Sequence, residues 1–405
     1  MDGEARRRYQ QRVRALEAFG HRGSASANEA RAADFFLREL TALGLDPARE
    51  PFFGCGSLGV RLLLHVVVAA IGAALLWHAP WLTVLLGIAA LLSFVLEHTT
   101  RFALLGSVLL RRTSQNVVTR IPARGGQATR RIVVLGHYDT QRTGWIWREA
   151  LLRRMTPVLT RSPGMMKSPL FLVLFAMCLQ PLVGAAALVW PGVGWVSVLG
   201  SAILIVYFVS GCLLAQWAVG PYVPGACDNA GGSAAVISLA EAWLEDPIDG
   251  VELVVLLTGC EETGLLGAAA WADAHSDELR ELPTTFLNLD SLGYGRPRFL
   301  GREHSLAAIP VRYPARTVEL CAALASRRGM VDAGPHVLPV ATDGLAFLQR
   351  GVPGASILSF EDGGHMPNYH QLSDTSDRMN FDVAWECVEF GWELLRTFGR
   401  DSNGA

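Results

Sequence analysis

The sequence predicts an α/β fold, in which a mixed, mostly parallel sheet is flanked by helices and interrupted by two inserted transmembrane helical hairpins. Two observations lead to this prediction. Apolar runs of strand length alternate with helical patterns, and several of these runs stop at a group of acidic or imidazole side chains. The 405 residues are 51% hydrophobic and only 18% charged, whereas about 25% of the residues of a soluble domain are charged. Part of the chain is therefore expected to lie in lipid.

Residues 1–48 are predicted to be helical, with Gly44 as the stop signal. The first 50 residues are charged and polar and lack the apolar core of a secretory signal, so no such signal is expected. An extended piece should follow near residues 51–53.

A first transmembrane hairpin is predicted over residues 59–97. The apolar block from 62 to 96 is broken only at His78-Ala79-Pro80, which leaves two spans of about 16 to 17 residues. Each span is slightly shorter than the roughly 20 residues that usually cross a bilayer. A pair of buried core helices is the alternative, but the block has no polar face.

Residues 145–221 are predicted to form a second insertion. Apolar and basic residues alternate over 145–167 as in an amphipathic helix that lies in a membrane interface; a partly exposed linker helix is the alternative. The apolar runs 170–189 and 196–219 follow, separated by a short turn. They predict a second transmembrane hairpin.

The remaining residues alternate between strand and helix patterns. Apolar strands are expected to lead into His137, Glu261 and Asp290. A single discontinuous domain is therefore predicted from residues 1–58, 98–144 and 222–399.

The distribution of basic residues predicts the orientation. The hairpin tips, 78–81 and 190–195, contain no Lys or Arg, whereas the segments between and around the hairpins hold Arg61, Arg101, Arg111, Arg112, Arg148, Arg153, Arg154, Arg161 and Lys167. Because positively charged loops stay inside, we expect a multi-pass protein of the cell membrane with both termini and the discontinuous domain on the cytoplasmic side. The seven scattered cysteines fit free thiols in a reducing compartment, with one disulfide bridge as the alternative.

Acidic and imidazole side chains are expected to converge at one edge of the sheet. In a parallel α/β sheet, ligands bind outside the carboxyl ends of the strands. Imidazole together with carboxylate suits zinc. The candidates are His137, Asp139, Asp228, Glu261, Glu262, Asp290 and His370.

Hydrolysis by two metal ions would give these side chains different tasks. Two ions held close together can activate a water, and one carboxylate must then bridge both ions. Asp228 suits the bridge because its turn is rich in small residues. One of the adjacent Glu261 and Glu262 could serve as general base, and Asp139 could orient the imidazole of His137. Each motif is weak alone, but their order along the chain, each after an apolar strand, supports a joint site.

The residues outside the apolar insertions resemble the M28 family of zinc aminopeptidases. The resemblance is carried by Gly136-His137-Tyr138-Asp139, Gly225-Ala226-Cys227-Asp228-Asn229-Ala230-Gly231-Gly232, Gly259-Cys260-Glu261-Glu262-Thr263-Gly264-Leu265-Leu266-Gly267, Asn288-Leu289-Asp290 and Tyr369-His370-Gln371-Leu372-Ser373-Asp374-Thr375. The segments His21-Arg22-Gly23-Ser24 and 349–356 also fit.

The resemblance implies a role for each candidate. One zinc ion would be bound by His137, Asp228 and Asp290, and a second by Asp228, Glu262 and His370. Glu261 would be the general base for a water that bridges the ions, and Asp139 would support His137. The family implies removal of the N-terminal residue of a peptide.

Three departures from the family pattern stand out. About ninety residues separate His137 from Asp228, where the family usually has about a dozen. Thr342-Asp343-Gly344 replaces a common Ser-Asp-His, and Cys227 precedes the bridging position. His365 is an alternative ligand to His370, and Tyr369 or Tyr294 is a candidate for oxyanion stabilisation.

The insertion predicts a catalytic cleft near the bilayer, so a peptide or amide substrate that is hydrophobic or membrane-associated is expected. The net charge of −2 does not favour binding to a nucleic acid. The sequence does not determine the oligomeric state. The alternatives are glutaminyl cyclisation, which the family relatives perform with one zinc, hydrolysis of a non-peptide amide, and a non-enzymatic membrane scaffold. The complete ligand set argues against the scaffold.

Overall fold

The computed structural model describes residues 2–401 except 101, 103 and 107–109. Its centre is a mixed sheet of β1 (Ala48–Cys55), β2 (Arg111–Ile121), β3 (Arg130–His137), β4 (Val251–Thr258), β5 (Thr284–Leu289), β6 (Arg296–His304), β7 (Pro310–Arg312), β8 (His336–Val337) and β9 (Gly354–Phe360). The strand order is β1-β2-β4-β3-β5-β9-β6-β7, with β8 paired to β6. The predicted mixed α/β fold is confirmed.

The middle of the sheet is parallel and its flanks are largely antiparallel. Strands β4, β3, β5 and β9 run side by side in one direction, whereas β1 pairs antiparallel with β2, β2 with β4, and β6 with β9 and β7. Nearly every side chain of β3, β4 and β5 is buried, because a parallel sheet is covered on both faces. The carboxyl ends of these strands consequently meet at one edge.

Helices cover the sheet and also form a separate bundle. In chain order they are α1 (Gly3–Glu17), α2 (Ala27–Ala42), α3 (Leu58–Ala74), α4 (Pro80–Glu97), α5 (Glu149–Arg161), α6 (Phe171–Val189), α7 (Gly194–Ala218), α8 (Gly232–Glu245), α9 (Leu266–Ala274), α10 (Glu278–Glu281), α11 (Ala315–Arg327), α12 (Asp343–Leu348) and α13 (Phe381–Arg400). The region predicted as one helical segment at the start of the chain is two helices, α1 and α2.

The bundle consists of α3, α4, α6 and α7, which share a hydrophobic core of their own. Helices α4, α6 and α7 are long and apolar enough to cross a membrane, and α3 is a shorter apolar helix. The two tips meet, since the Trp77 indole N–H donates to Ser197 Oγ at 3.3 Å. The domain boundaries given above stay a prediction.

A buried polar contact ties the bundle together. The Gln180 amide donates to the carbonyl oxygen of Thr83 at 3.2 Å and accepts from the Tyr207 hydroxyl at 2.8 Å. Gly72 and Gly87 make room for it, because a Cβ at either position would lie close to the Gln180 side chain. Small residues and polar contacts of this kind are typical of helix packing in membranes.

Two details of the predicted membrane region differ from expectation. Arg61, expected in a connecting segment, lies inside α3, where it is buried and pairs with Glu97 at 3.3 Å. Arg101, counted with the basic loop residues, lies outside the described residues. The predicted amphipathic helix is divided into a short turn at Trp145–Trp147, α5, and a second turn at Gly164–Lys167.

Strand β6, which the sequence did not predict, carries a buried acid. Glu303 Oε1 accepts from the Tyr313 hydroxyl at 2.6 Å, and Oε2 accepts from the backbone N–H and the hydroxyl of Thr342 at 2.7 and 3.1 Å. Burial raises the pKa of Glu303 to about 7 in spite of these donors. The neutral form of the Glu303 side chain therefore stabilises the folded protein more than the ionised form does.

Replacing Glu303 by Gln should remove a pH dependence of stability. The ordinary pKa is 4.5, so the stability contributed by the neutral acid is fully present below about pH 4.5 and is lost as the pH rises through about 7. Relative to wild type, Glu303→Gln should gain roughly 3 kcal/mol in free energy of unfolding between about pH 5 and pH 8. Urea denaturation in detergent at several pH values measures the free energy of unfolding, with the exposed Glu281→Gln variant as control. If the free energy of unfolding changes with pH in the same way in Glu303→Gln and in wild type, the prediction is contradicted.

Candidate metal centre

The predicted site residues lie at the carboxyl edge of the parallel strands. His137 is the last residue of β3, and Asp290 directly follows β5. Glu261 and Glu262 follow β4 after a two-residue turn. Asp228 lies in the turn Ala226–Gly231 before α8, and His370 comes from the loop between β9 and α13.

These residues form two groups that could each hold a metal ion: His137 with Asp228 and Asp290, and Asp228 with Glu262 and His370. Asp228 belongs to both. Its Oδ1 lies 3.3 Å from His137 Nε2, whereas its Oδ2 lies 3.1 Å from His370 Nε2. The remaining members complete the groups, with Asp290 Oδ1 3.6 Å from His137 Nε2 and Glu262 Oε2 3.2 Å from His370 Nε2.

The donor chemistry fits zinc. Each group offers one imidazole nitrogen and two carboxylates, which is a common zinc ligand set. All five residues are buried, and His370 Nε2 has no hydrogen-bond partner in the described part of the chain. A buried polar atom without a partner is costly, and a metal ion at this position would satisfy it.

The charge balance of the site also calls for cations. Burial raises the pKa of Glu262 to about 7 and that of Glu261 well above its ordinary value. Burial lowers the pKa of His370, but the neighbouring Glu262 and Asp228 raise it to about 9. Burial raises the pKa of Asp228, but the adjacent imidazoles of His137 and His370 shift it below its ordinary value. Without a metal, protons are thus held where positive ions would lie.

Asp139 links three parts of the site. Its Oδ1 accepts the backbone N–H of Glu261 at 3.0 Å, and its Oδ2 accepts the N–H of Glu262 at 3.2 Å and the hydroxyl of Ser24 at 2.5 Å. Oδ1 also lies 3.5 Å from His137 Nδ1. Asp139 therefore fixes the loop that carries both glutamates as well as facing the imidazole, which exceeds the orienting role that the sequence predicted.

Two further residues hold the turn of Asp228, and sequence reasoning gave neither a role. The Asp374 carboxylate accepts the backbone N–H groups of Cys227 and Asp228 at 3.0 and 3.1 Å. The Asn229 side chain accepts from the N–H of Ser291 at 3.1 Å and donates to the Leu289 carbonyl at 3.0 Å. Both residues belong to motifs that carry the family resemblance, and this was the one feature of the sequence that pointed to them.

Arg22 fixes the same region from the other side. Its buried guanidinium donates to the carbonyl oxygens of Tyr138, Pro224 and Gly225 at 2.7 to 2.8 Å. These carbonyls flank Asp139 on one segment and precede Asp228 on another. A planar guanidinium with several fixed donors suits such a junction.

The loops that carry the ligands share a backbone feature. Cys260, Ser291 and His370 have φ values of +53°, +52° and +54°. Left-handed conformations are uncommon for residues with a Cβ and cluster at functional sites. In each loop the turn brings a ligand toward Asp228.

The other sequence candidates lie elsewhere. His365 Nε2 contacts Glu149 Oε1 at 2.8 Å and belongs to neither metal group, so the alternative to His370 is not supported. Tyr369 stacks on His370 with ring centroids 3.8 Å apart. Thr342 and Asp343 belong to the segment that departs from the family's Ser-Asp-His pattern. The backbone N–H of Thr342 donates to Glu303, and the Thr258 hydroxyl donates to Asp343.

The second insertion reaches the metal groups. The Trp147 ring stands edge-on to His370 at 4.3 Å and to Trp217 of α7 at 5.3 Å. The Trp217 indole N–H donates to the Arg142 carbonyl at 2.8 Å. Helix α7 and the candidate ligand His370 are thus joined through one aromatic side chain.

A cavity of about 580 Å³ extends from the two candidate metal groups to the helical bundle. We call it the apolar chamber. Glu261, Glu262 and His370 line its inner end. Mostly apolar side chains line the rest, and many of them belong to α3, α5, α6 and α7, among them Leu62, Leu152, Met155, Val173, Leu214 and Trp217.

Residues 213–395 match the family model of peptidase family M28. No curated protein matches the chain. Among solved structures, the chain is similar to an aminopeptidase from Aneurinibacillus sp. strain AM-1, with 14% identity, a TM-score of 0.56, and coverage of 97% of this chain and 93% of that chain. The chain is also similar to a zinc aminopeptidase from Bacillus subtilis, with 13% identity, a TM-score of 0.55, and coverage of 97% of this chain and 95% of that chain.

A glutaminyl cyclase from Fimbriiglobus ruber is also similar, with 14% identity, a TM-score of 0.50, and coverage of 96% of this chain and 95% of that chain. Identities this low show a shared fold and no more.

Replacing Asp374 by Ala should weaken metal binding without removing a ligand. Two backbone N–H groups at the Asp228 turn would lose their acceptor, and loss of such supporting contacts typically costs about 10–100-fold in metal affinity. Zinc affinity measured by chelator competition tests this. Asp377→Ala, at an exposed position of the same loop, is the control; an affinity equal to wild type in Asp374→Ala would contradict the role given to Asp374.

Proposed function

Since the chain belongs to peptidase family M28 through residues 213–395, we propose that it is a membrane-anchored aminopeptidase that uses two zinc ions. Family membership makes it a hydrolase of peptide bonds. The finer proposal concerns the metal number, the general base and the position at the membrane. In it, His137, Asp228 and Asp290 hold one ion, and Asp228, Glu262 and His370 hold the other.

A single observation carries the proposal, which is the position of the Asp228 carboxylate. Its two oxygens face two different imidazoles, each accompanied by a further carboxylate. A carboxylate that serves only one ion would not need a second complete group on its other oxygen. The arrangement supports two ions close together.

The chain's own residues would perform the proton transfers. Zinc, when bound, polarises the scissile carbonyl and makes an attacking water more acidic. Glu261 takes a proton from that water and gives it to the leaving amine, so that the peptide bond breaks and a carboxylate and an amine are produced. Glu261 suits this task because burial raises its pKa and its Oε2 lies 3.9 Å from His137 Nε2. Asp139 holds its backbone in place.

The main alternative is glutaminyl cyclisation or hydrolysis of a non-peptide amide. Similarity to a glutaminyl cyclase means that the fold does not separate these reactions. The second complete ligand group favours hydrolysis, because the cyclases that the sequence resembles are expected to use one ion. A bound zinc-to-protein ratio of two supports the peptidase, and a ratio of one supports the cyclase.

Replacing Glu261 by Gln should abolish activity and keep the metals. Loss of a general base typically lowers the rate by about 10²–10⁴-fold, whereas the five ligands are unchanged. Release of amino acid from aminoacyl-amide reporters, together with zinc content, measures both effects. The exposed Glu245→Gln should behave like wild type; full activity in Glu261→Gln would contradict the assignment of the base.

The membrane part of the proposal places four helices in the bilayer, with the metal centre on the cytoplasmic side. Helices α4, α6 and α7 are long and apolar enough to span it, and exposed tryptophans lie at the tips, namely Trp77, Trp81, Trp190 and Trp195. Tryptophan is enriched where membrane meets water. The tips lack Lys and Arg, whereas Arg148 directly precedes α5, and Arg153, Arg154 and Arg161 lie within it. This asymmetry supports cytoplasmic placement of the catalytic part.

Cysteine labelling should show the orientation. Gly194→Cys, at the tip of the second hairpin where an added Cβ meets nothing within 4 Å, should react with an impermeant maleimide on intact cells. Asp277→Cys, exposed beside α10, should react only after permeabilisation. Background should be low, because Cys212 is the one native cysteine that is exposed and it lies within α7. The reverse labelling pattern would contradict the orientation.

A further inference from the structure

The apolar chamber opens between α5, α6 and α7, and its rim is apolar and exposed. Val158, Leu172 and Val209 line the chamber, yet their exposed fractions are 62%, 63% and 51%. A contiguous apolar patch of this kind marks an interaction with apolar material. The rim belongs to two membrane helices and to the amphipathic helix α5.

The rim also lies at a depth that hydrocarbon reaches. Val209 is 15 residues from the first residue of α7 at the hairpin tip, which is about 22 Å at about 1.5 Å per residue. Leu172 is 17 residues from the last residue of α6, or about 26 Å. Both distances are shorter than the roughly 30 Å thickness of the hydrocarbon core. The opening consequently faces the acyl chains of the leaflet nearer to the metal centre.

The two ends of the chamber differ in chemistry. Glu261, Glu262 and His370 line the inner end, where the scissile amide of a peptide would meet the general base of the proposed function. Apolar side chains such as Leu214 and Met155 line the path to the rim. An acyl chain of a lipid would match the path but offers no amide for the inner end.

We propose, on the basis of the function proposed above, that the substrate is a hydrophobic peptide that enters the chamber sideways from the bilayer. Its free amino group lies at the metal centre, its first residues fill the chamber, and the rest of the peptide leaves through the rim into lipid. The volume of about 580 Å³ is in the range of about 300–1,000 Å³ that holds a whole small ligand. The chamber therefore accepts several apolar side chains.

This route also determines which peptides are accepted. An apolar residue moves from lipid to the chamber without exposure to water, so its transfer costs little. A charged side chain at either of the first two positions would lose its hydration without a partner among the apolar walls. Peptides with Asp or Lys at these positions should be cleaved at least about 100-fold more slowly than those with Leu or Phe.

The experiment compares two substrates on full-length, zinc-loaded protein in lipid nanodiscs. One is a hydrophobic peptide that starts with Leu-Leu-Phe and is inserted in the same bilayer; the other is a water-soluble leucine amide reporter. Leu172→Trp with Val209→Trp narrows the rim. The matched control is Leu182→Trp with Ile205→Trp, two exposed apolar positions on the same helices away from the chamber.

The rim variant should lower kcat/KM for the bilayer peptide at least tenfold and change the soluble reporter less than twofold, whereas the control should match wild type for both. Retained reporter activity shows that the rim variant is folded. Equal loss for both substrates, or no loss for either, would overturn the lateral route and leave the peptidase assignment standing. If the zinc-loaded wild type cleaves neither substrate, the proposed function itself fails, and the inference with it.

Discussion

The candidate metal centre depends on how the Asp228 carboxylate is held between two imidazoles. The carboxylate can serve both groups only if its turn cannot rotate, and three other segments prevent rotation. Asp374 accepts two backbone N–H groups of the turn, the Asn229 side chain connects it to the segment of Asp290, and Arg22 binds the carbonyls that precede it. Loss of any of these contacts would act on both metal groups at once, because both share one residue.

The insertion between His137 and Asp228 is accommodated because these residues belong to separate structural units. His137 ends β3, whose position is set by its neighbours β4 and β5, whereas Asp228 is held by the contacts described above. The chain between them is therefore free to leave the site and return, provided that it leaves and returns near one place. Arg142 and Tyr222, on either side of the insertion, lie opposite each other in an isolated antiparallel bridge. Apolar helices are thus added next to the edge that holds the candidate ligands without moving any of them.

Much of the fold and all the candidate metal ligands could be predicted from the sequence, because these features are local. An apolar run followed by His137 or by Glu261-Glu262 is visible in a short window, and a parallel sheet brings such strand ends together. Asp374 could not be given its role in this way, since the backbone groups that it binds lie more than 140 residues away. Strand β6 was missed because its sequence mixes Arg, Pro, Gly and Glu with few apolar residues. The chamber is a gap between packed helices, and no pattern in the sequence describes a gap.

Helix α3 is attached to the loop that carries Glu261 and Glu262, which gives the helical bundle a part in the geometry of the candidate site. Arg61, buried in α3, donates a hydrogen bond to the carbonyl of Thr263, the residue after Glu262, and pairs with Glu97 of α4 at 3.3 Å. A buried ion pair of this kind is costly to break, because the partner that remains is an uncompensated charge. A shift of α3 relative to α4 would therefore be transmitted to the loop that carries both glutamates. The bundle is consequently a support of the loop that carries both glutamates. Removing the bundle would expose Leu62 and the other apolar walls of the chamber and would release the backbone next to Glu262.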